Sequence, residues 1–145
     1  MAAAYTGINV SRIPWNDDDY VIGVSMRFHT KAKDKDHDTS LDIRICNEEG
    51  ILFAEKSGIA GHWAEKTSYL VAFDLKNSLP LSQVSKGSVH LEIHPNGNDC
   101  WHFKCDLWIF YSNGHPTLRH WDGKELSQDC RSTSDDWEGA QSGHQ

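Results

Sequence analysis

Ser88-Val-His-Leu-Glu-Ile-His94, Pro95-Asn-Gly-Asn-Asp99 and Trp101-His-Phe-Lys-Cys-Asp-Leu-Trp-Ile-Phe-Tyr111 decide the fold class. Both flanking runs alternate apolar and polar residues with period two, the pattern of strands buried on one face. Proline cannot donate to a ladder, and Asn-Gly favours a turn, so Pro95–Asp99 separates the two strands. Read as a hairpin, the pair sets Glu92 opposite Lys104, His90 opposite Asp106 and His94 opposite His102. Val89, Leu91 and Ile93 then meet Leu107, Cys105 and Phe103 on a dry face.

The same alternation extends outward in both directions. Strands are expected at Tyr20–His29, Ser40–Cys46, Ile51–Lys56, Thr67–Asp74 and Thr117–Trp121. Asn47-Glu48-Glu49-Gly50, Ser112-Asn113-Gly114 and Asp122-Gly123 read as turns, and Leu75–Gly87 as an irregular connection around Pro80. No stretch carries a 3.6-residue period. The expected fold is an all-β, antiparallel β-sandwich of about seven to eight strands, spanning 1–130. Residues 131–145 are expected to form a polar C-terminal tail, loosely held and anchored, if anywhere, by Trp137. By face parity Trp101 points inward with Phe103, and Trp108 outward.

Composition limits the function. The chain of 145 residues carries 14 basic and 21 acidic side chains, a net charge of −7. Nucleic acid is a poor partner for such a chain, because phosphate recognition needs a basic footprint. No apolar run approaches the roughly 20 residues of a membrane helix. The N-terminus lacks the basic-then-apolar pattern of a secretory leader, so a cytoplasmic location is expected, secretion after removal of a leader being the alternative. Cys46, Cys100, Cys105 and Cys130 contain no C-x-x-C spacing and are expected to be reduced thiols.

Up-and-down alternation places three loops at one end: Thr30–Thr39, Ser57–Lys66 and Pro95–Cys100. Their chemistry is unusual. Asp34, Asp36 and Asp38 alternate along the first, and such carboxylates can converge on Ca²⁺, which takes about six to eight oxygens. His62 and Trp63 stand in the second between Gly61 and Ala64; Asn96, Asn98 and Asp99 stand in the third. The expected site is a calcium-assisted glycan site. Asp34, Asp36 and Asp38 would hold the ion, Trp63 would stack on the sugar, and His62, Asn96, Asn98 and Asp99 would read its hydroxyls. The plain alternative is a solvated acidic loop, ordinary Asn-Gly turns and a tryptophan packed on the sandwich. A lectin-like protein of this kind gains avidity by self-association, so a homo-oligomer is expected.

A rival constellation lies on one strand. His90, Glu92 and His94 project from one face, and with His102 across the expected hairpin they could bind a transition metal and support a small metalloenzyme. Cross-strand charge pairing of the same groups is the simpler reading. No nucleophile elbow, Walker loop or dinucleotide fingerprint is present, so catalysis is not expected.

Asp34-Lys35-Asp36-His37-Asp38-Thr39 running into Leu41-Asp42-Ile43-Arg44-Ile45 resembles the opening of PLAT-type sandwich modules. The resemblance covers a small part of the chain. It implies a sandwich, calcium binding and docking to lipid or protein, an alternative to the glycan reading.

Overall fold

The computed structural model describes residues 19–138. Trp15, Asp17, Asp18 and the last residues from 139 lie outside them. The described chain forms β1 (Val21–Thr30), β2 (Ser40–Asn47), β3 (Leu52–Ile59), β4 (Ser68–Ala72), β5 (Asp74–Leu75), β6 (Gly87–His94), β7 (Cys100–Tyr111), β8 (Pro116–Ser127) and β9 (Ser132–Trp137). One 3-10 turn, Leu81–Gln83, precedes β6. The strands make two antiparallel sheets, ordered β4-β1-β7-β8 and β5-β3-β2-β6-β9. The architecture is the expected β-sandwich.

Alternation decides what lies between the sheets. Leu41, Ile43 and Ile45 of β2, Val89, Leu91 and Ile93 of β6, and Trp101, Phe103 and Leu107 of β7 are buried, each with a polar neighbour turned outward. At the start of β1 the register slips between Val21 and Gly23, a bulge that lets Val21 and Val24 both enter the core. Aromatic rings concentrate at one end, where Phe28 lies 5.5 Å from Trp63 and 5.7 Å from Trp101 between ring centroids.

The hairpin expected from β6 and β7 does not form. β6 pairs with β2 and β9, whereas β7 pairs with β1 and β8 in the opposite sheet. Glu92 stands beside Asp42 and Ser132, and Lys104 beside His29. Asp106 pairs with Arg27 and His120 instead of His90. The reason is physical: period-two alternation fixes which face turns inward, and both sheets offer the same dry interior. The Pro95–Asp99 loop is long enough to step between sheets packed about 10 Å apart.

Two more expectations change in detail. Asp122-Gly123 is not a turn between strands; β8 runs through it. The register with β7 slips there, and Gly123 takes a φ of 66°, the backbone of a bulge. Ser132–Trp137, expected as tail, is the edge strand of the five-stranded sheet, paired with β6 from Glu92↔Ser132 to Gly87↔Trp137. The Trp137 ring is buried and its Nε1–H donates to the Val84 carbonyl at 3.0 Å. It lies where a Cβ on Gly87 would be, 2.5 Å from that position at its nearest ring carbon. Glycine at 87 is therefore required for the strand to close.

Gly87→Ala sets its Cβ against both the Cys46 carbonyl oxygen and the Trp137 ring, and is expected to displace the ring, to loosen the β2–β6 pairing and to cost about 3 kcal/mol, the upper end of the overpacking range. Denaturant unfolding followed by tryptophan fluorescence measures the ring displacement and the loss of stability.

Candidate functional site

The three loops placed at one end by alternation do meet. Lys35 and Trp63 form an isolated antiparallel bridge: the Lys35 N–H donates to the Trp63 carbonyl at 3.1 Å, and the Trp63 N–H donates back at 2.9 Å. The Gly61 N–H donates to the His37 carbonyl. The Asp36 N–H donates to Asp99 Oδ2 at 3.2 Å, and the Asn96 amide to Asp38 Oδ2 at 3.4 Å. A fourth loop, between β8 and β9, joins them. Gln128 exchanges hydrogen bonds with Asp99, N–H to carbonyl in one direction and Asp99 N–H to Gln128 Oε1 in the other. The sequence does not announce this fourth loop, because the strand that follows it, β9, lies in the stretch from 131 expected as tail.

What holds the loops is Lys35, a residue the sequence presents as one of several solvated charges. Its side chain is fully buried. The ammonium donates to the Gly61 carbonyl at 2.6 Å, the Thr39 carbonyl at 2.7 Å and the Asp36 carbonyl at 3.4 Å. It also stands 5.0 Å from the Trp63 ring centroid, within cation–π range. Burial lowers the Lys35 pKa, and the negative charges of Asp99, Asp36 and Asp38 oppose that shift. A charged group is tolerated inside a protein only when it is fully hydrogen-bonded and compensated, and both conditions are met here.

Lys35 is thus a cation ligated by loop oxygens that draws separate segments together. The expected calcium ligands are distributed differently. Asp34 Oδ2 pairs with His62 Nε2 at 2.6 Å, and this hydrogen bond lowers the Asp34 pKa. Asp38 receives Asn96. Asp36 is shifted up by burial and by the neighbouring charges of Asp99, Asp34 and Asp38. Among the described residues, Asp34, Asp36 and Asp38 do not bring ligand atoms within 4.8 Å of one another as a set of three.

The expected sugar contacts divide into two groups. His62, Asn96 and Asn98 are exposed. Trp63 and Asp99 are not: Trp63 retains 5% of its surface and Asp99 7%. The Trp63 ring stacks on Tyr69 at 5.0 Å with planes 8° apart and packs edge-on against Trp101. It is a core side chain, so the expectation of a sugar-stacking face at Trp63 is corrected. The backbone bridge to Lys35 holds Trp63 where its ring faces the core. Asp99 is likewise a scaffold residue, accepting the Asp36 and Cys100 N–H groups.

The rival strand site does not assemble. His90 and His94 point outward from the five-stranded sheet, His90 to Ser134 and His94 to Asp42 Oδ2 at 2.8 Å. His102 sits on β7 in the other sheet, on its outer face, so the whole sandwich separates it from His90 and His94. The four thiols, Cys46, Cys100, Cys105 and Cys130, are free, and burial pushes Cys105 up to about 12. No family model matches the chain, and no curated protein matches it.

Replacing Lys35 by Met keeps the stem and removes the ammonium, leaving buried carbonyls without their donor. The expected loss is about 3–5 kcal/mol, the range for breaking a buried charged network. Thermal or urea unfolding of Lys35→Met checks it.

Proposed function

We propose that the protein is a non-catalytic binding module that recognises a glycan or similar polyol at the loop end of the sandwich, without a bound calcium ion. The observation that carries this reading is the union of four loops into one acceptor-rich surface. The Asp34–His62 pair, Asp36, Asp38 and the amides of Asn96 and Asn98 supply it. Carboxylate and amide oxygens accept hydrogen bonds from sugar hydroxyls, and the Asn amides can also donate. The negative field that shifts Asp36 opposes phosphate and other anions, so neutral hydroxylated ligands suit the surface best.

Calcium independence follows from Lys35. With an internal ammonium already joining the loops, an external ion is not needed to order them. The loss of Trp63 as a stacking surface makes the expected affinity modest, because ring stacking supplies much of the binding in aromatic-based sugar sites. Weak single sites gain from self-association, and a homo-oligomer remains part of this proposal.

A glycan array probed with and without EDTA tests the reading. Binding that survives EDTA and is lost in His62→Ala or Asn96→Ala is expected. Binding abolished by EDTA would restore the calcium reading at Asp34, Asp36 and Asp38. No glycan binding in either buffer would discard the proposal and turn attention to docking on lipid or protein.

A further inference from the structure

Beside the loop end, on the outer face of the four-stranded sheet, three side chains of different chemistry converge. Cys100 and His102 stand two residues apart on β7 and so share its outer face. Glu125 on β8 is the cross-strand partner of His102. The Cys100 thiol donates to Glu125 Oε2 at 3.2 Å, and His102 Nε2 lies 3.3 Å from Glu125 Oε1. One ligand atom from each of the three falls within 4.8 Å of the others, the one such group among the described residues.

We propose that Cys100, His102 and Glu125 form a binding site for a zinc-like transition-metal ion. Three observations support it. First, the donor set is a thiol, an imidazole and a carboxylate, which together favour Zn²⁺ over a hard ion such as Ca²⁺ or Mg²⁺. Second, the spacing fits. A tetrahedral ion with bonds of about 2.0–2.3 Å has ligand atoms about 3.3–3.8 Å apart; Cys100 and His102 each approach a different Glu125 oxygen, at 3.2 and 3.3 Å, and one ligand atom from each residue lies within 4.8 Å of the others, so small side-chain adjustments bring the set to an ion. Third, His102 Nε2 is shielded from solvent, and its one polar neighbour, Glu125 Oε1 at 3.3 Å, is not aligned as a hydrogen bond. A metal bond would satisfy it.

The backbone holds the site in shape. The His102 N–H donates to the Lys33 carbonyl at 3.0 Å, and the His102 carbonyl accepts from the Lys31 N–H at 2.8 Å. The first loop therefore pins His102 from above while the β7–β8 ladder fixes Glu125 opposite it. Glu125 is exposed, which gives an ion a route in and leaves a fourth position open to water. On binding, the Cys100 proton now donated to Glu125 passes to solvent, leaving a thiolate ligand. This site is separate from the polyol-binding surface, and neither reading depends on the other.

Titration of reduced, metal-free, full-length protein with Co²⁺ tests the site, with absorbance spectroscopy as the readout. One equivalent should bind with a thiolate-to-cobalt charge-transfer band, and Zn²⁺ should displace it. The band should vanish in Cys100→Ser and stoichiometric binding should be lost in His102→Ala and Glu125→Gln, while Cys46→Ser and Cys130→Ser bind as the parent does. Glu125→Gln changes an exposed side chain and so tests the site in a folded protein. Absence of the band in the parent, or a band that persists in Cys100→Ser or disappears in Cys130→Ser, would overturn the proposal.

Discussion

The loop end depends on one buried ammonium. Lys35 is buried between the first and second of the three loops and donates to backbone carbonyls from both. Bringing a charge out of water costs several kcal/mol, so the arrangement persists only because the carbonyls, the Trp63 ring and the nearby carboxylates offset that cost together. The same contacts explain why Trp63 and Asp99 are interior. Trp63 closes the bridge to Lys35 and sets its ring under the ammonium; Asp99 caps the Asp36 and Cys100 amides and adds compensating charge.

With those residues committed to the scaffold, the chemistry left facing solvent is almost wholly polar. His62 and Asp34 hold each other, Asn96 reaches Asp38, and Asn98 is exposed beside them. Under the proposed polyol reading, such a surface would select ligands by the direction of hydroxyl groups, with little apolar area to add affinity. The aromatic cluster beneath it, built from Phe28, Trp63, Tyr69, Trp101 and Phe103, gives the loops a rigid floor. A binding surface on rigid support loses less freedom on association than one on loose loops.

The sandwich and its inward faces were legible because period-two alternation reports burial directly, as in Leu41, Ile43 and Ile45. The meeting of the Thr30–Thr39, Ser57–Lys66 and Pro95–Cys100 loops was legible for the same reason, since it follows from counting strands. Sheet membership was not. Val89, Leu91 and Ile93 suit the interior equally well in either sheet, and the expected charge pairs with β7 were met by other partners. β9 was missed because Ser132-Thr-Ser-Asp-Asp is polar; an edge strand needs few apolar residues, and Trp137 with Gly87 supplies the anchor. Lys35 was missed because its burial depends on carbonyls from distant segments, which no local pattern encodes. The pairing of Cys100 and His102 with Glu125 needed the β7–β8 register, which shifts at the Gly123 bulge.

We propose that an internal lysine, in place of a bound ion, organises the loop end. Amide hydrogen exchange at Lys35, Asp36, Gly61 and Trp63, measured in EDTA and again in calcium, tests it most directly. Slow exchange that is the same in both buffers, and becomes fast in Lys35→Met, is the predicted result. Protection that develops only when calcium is present would contradict the account.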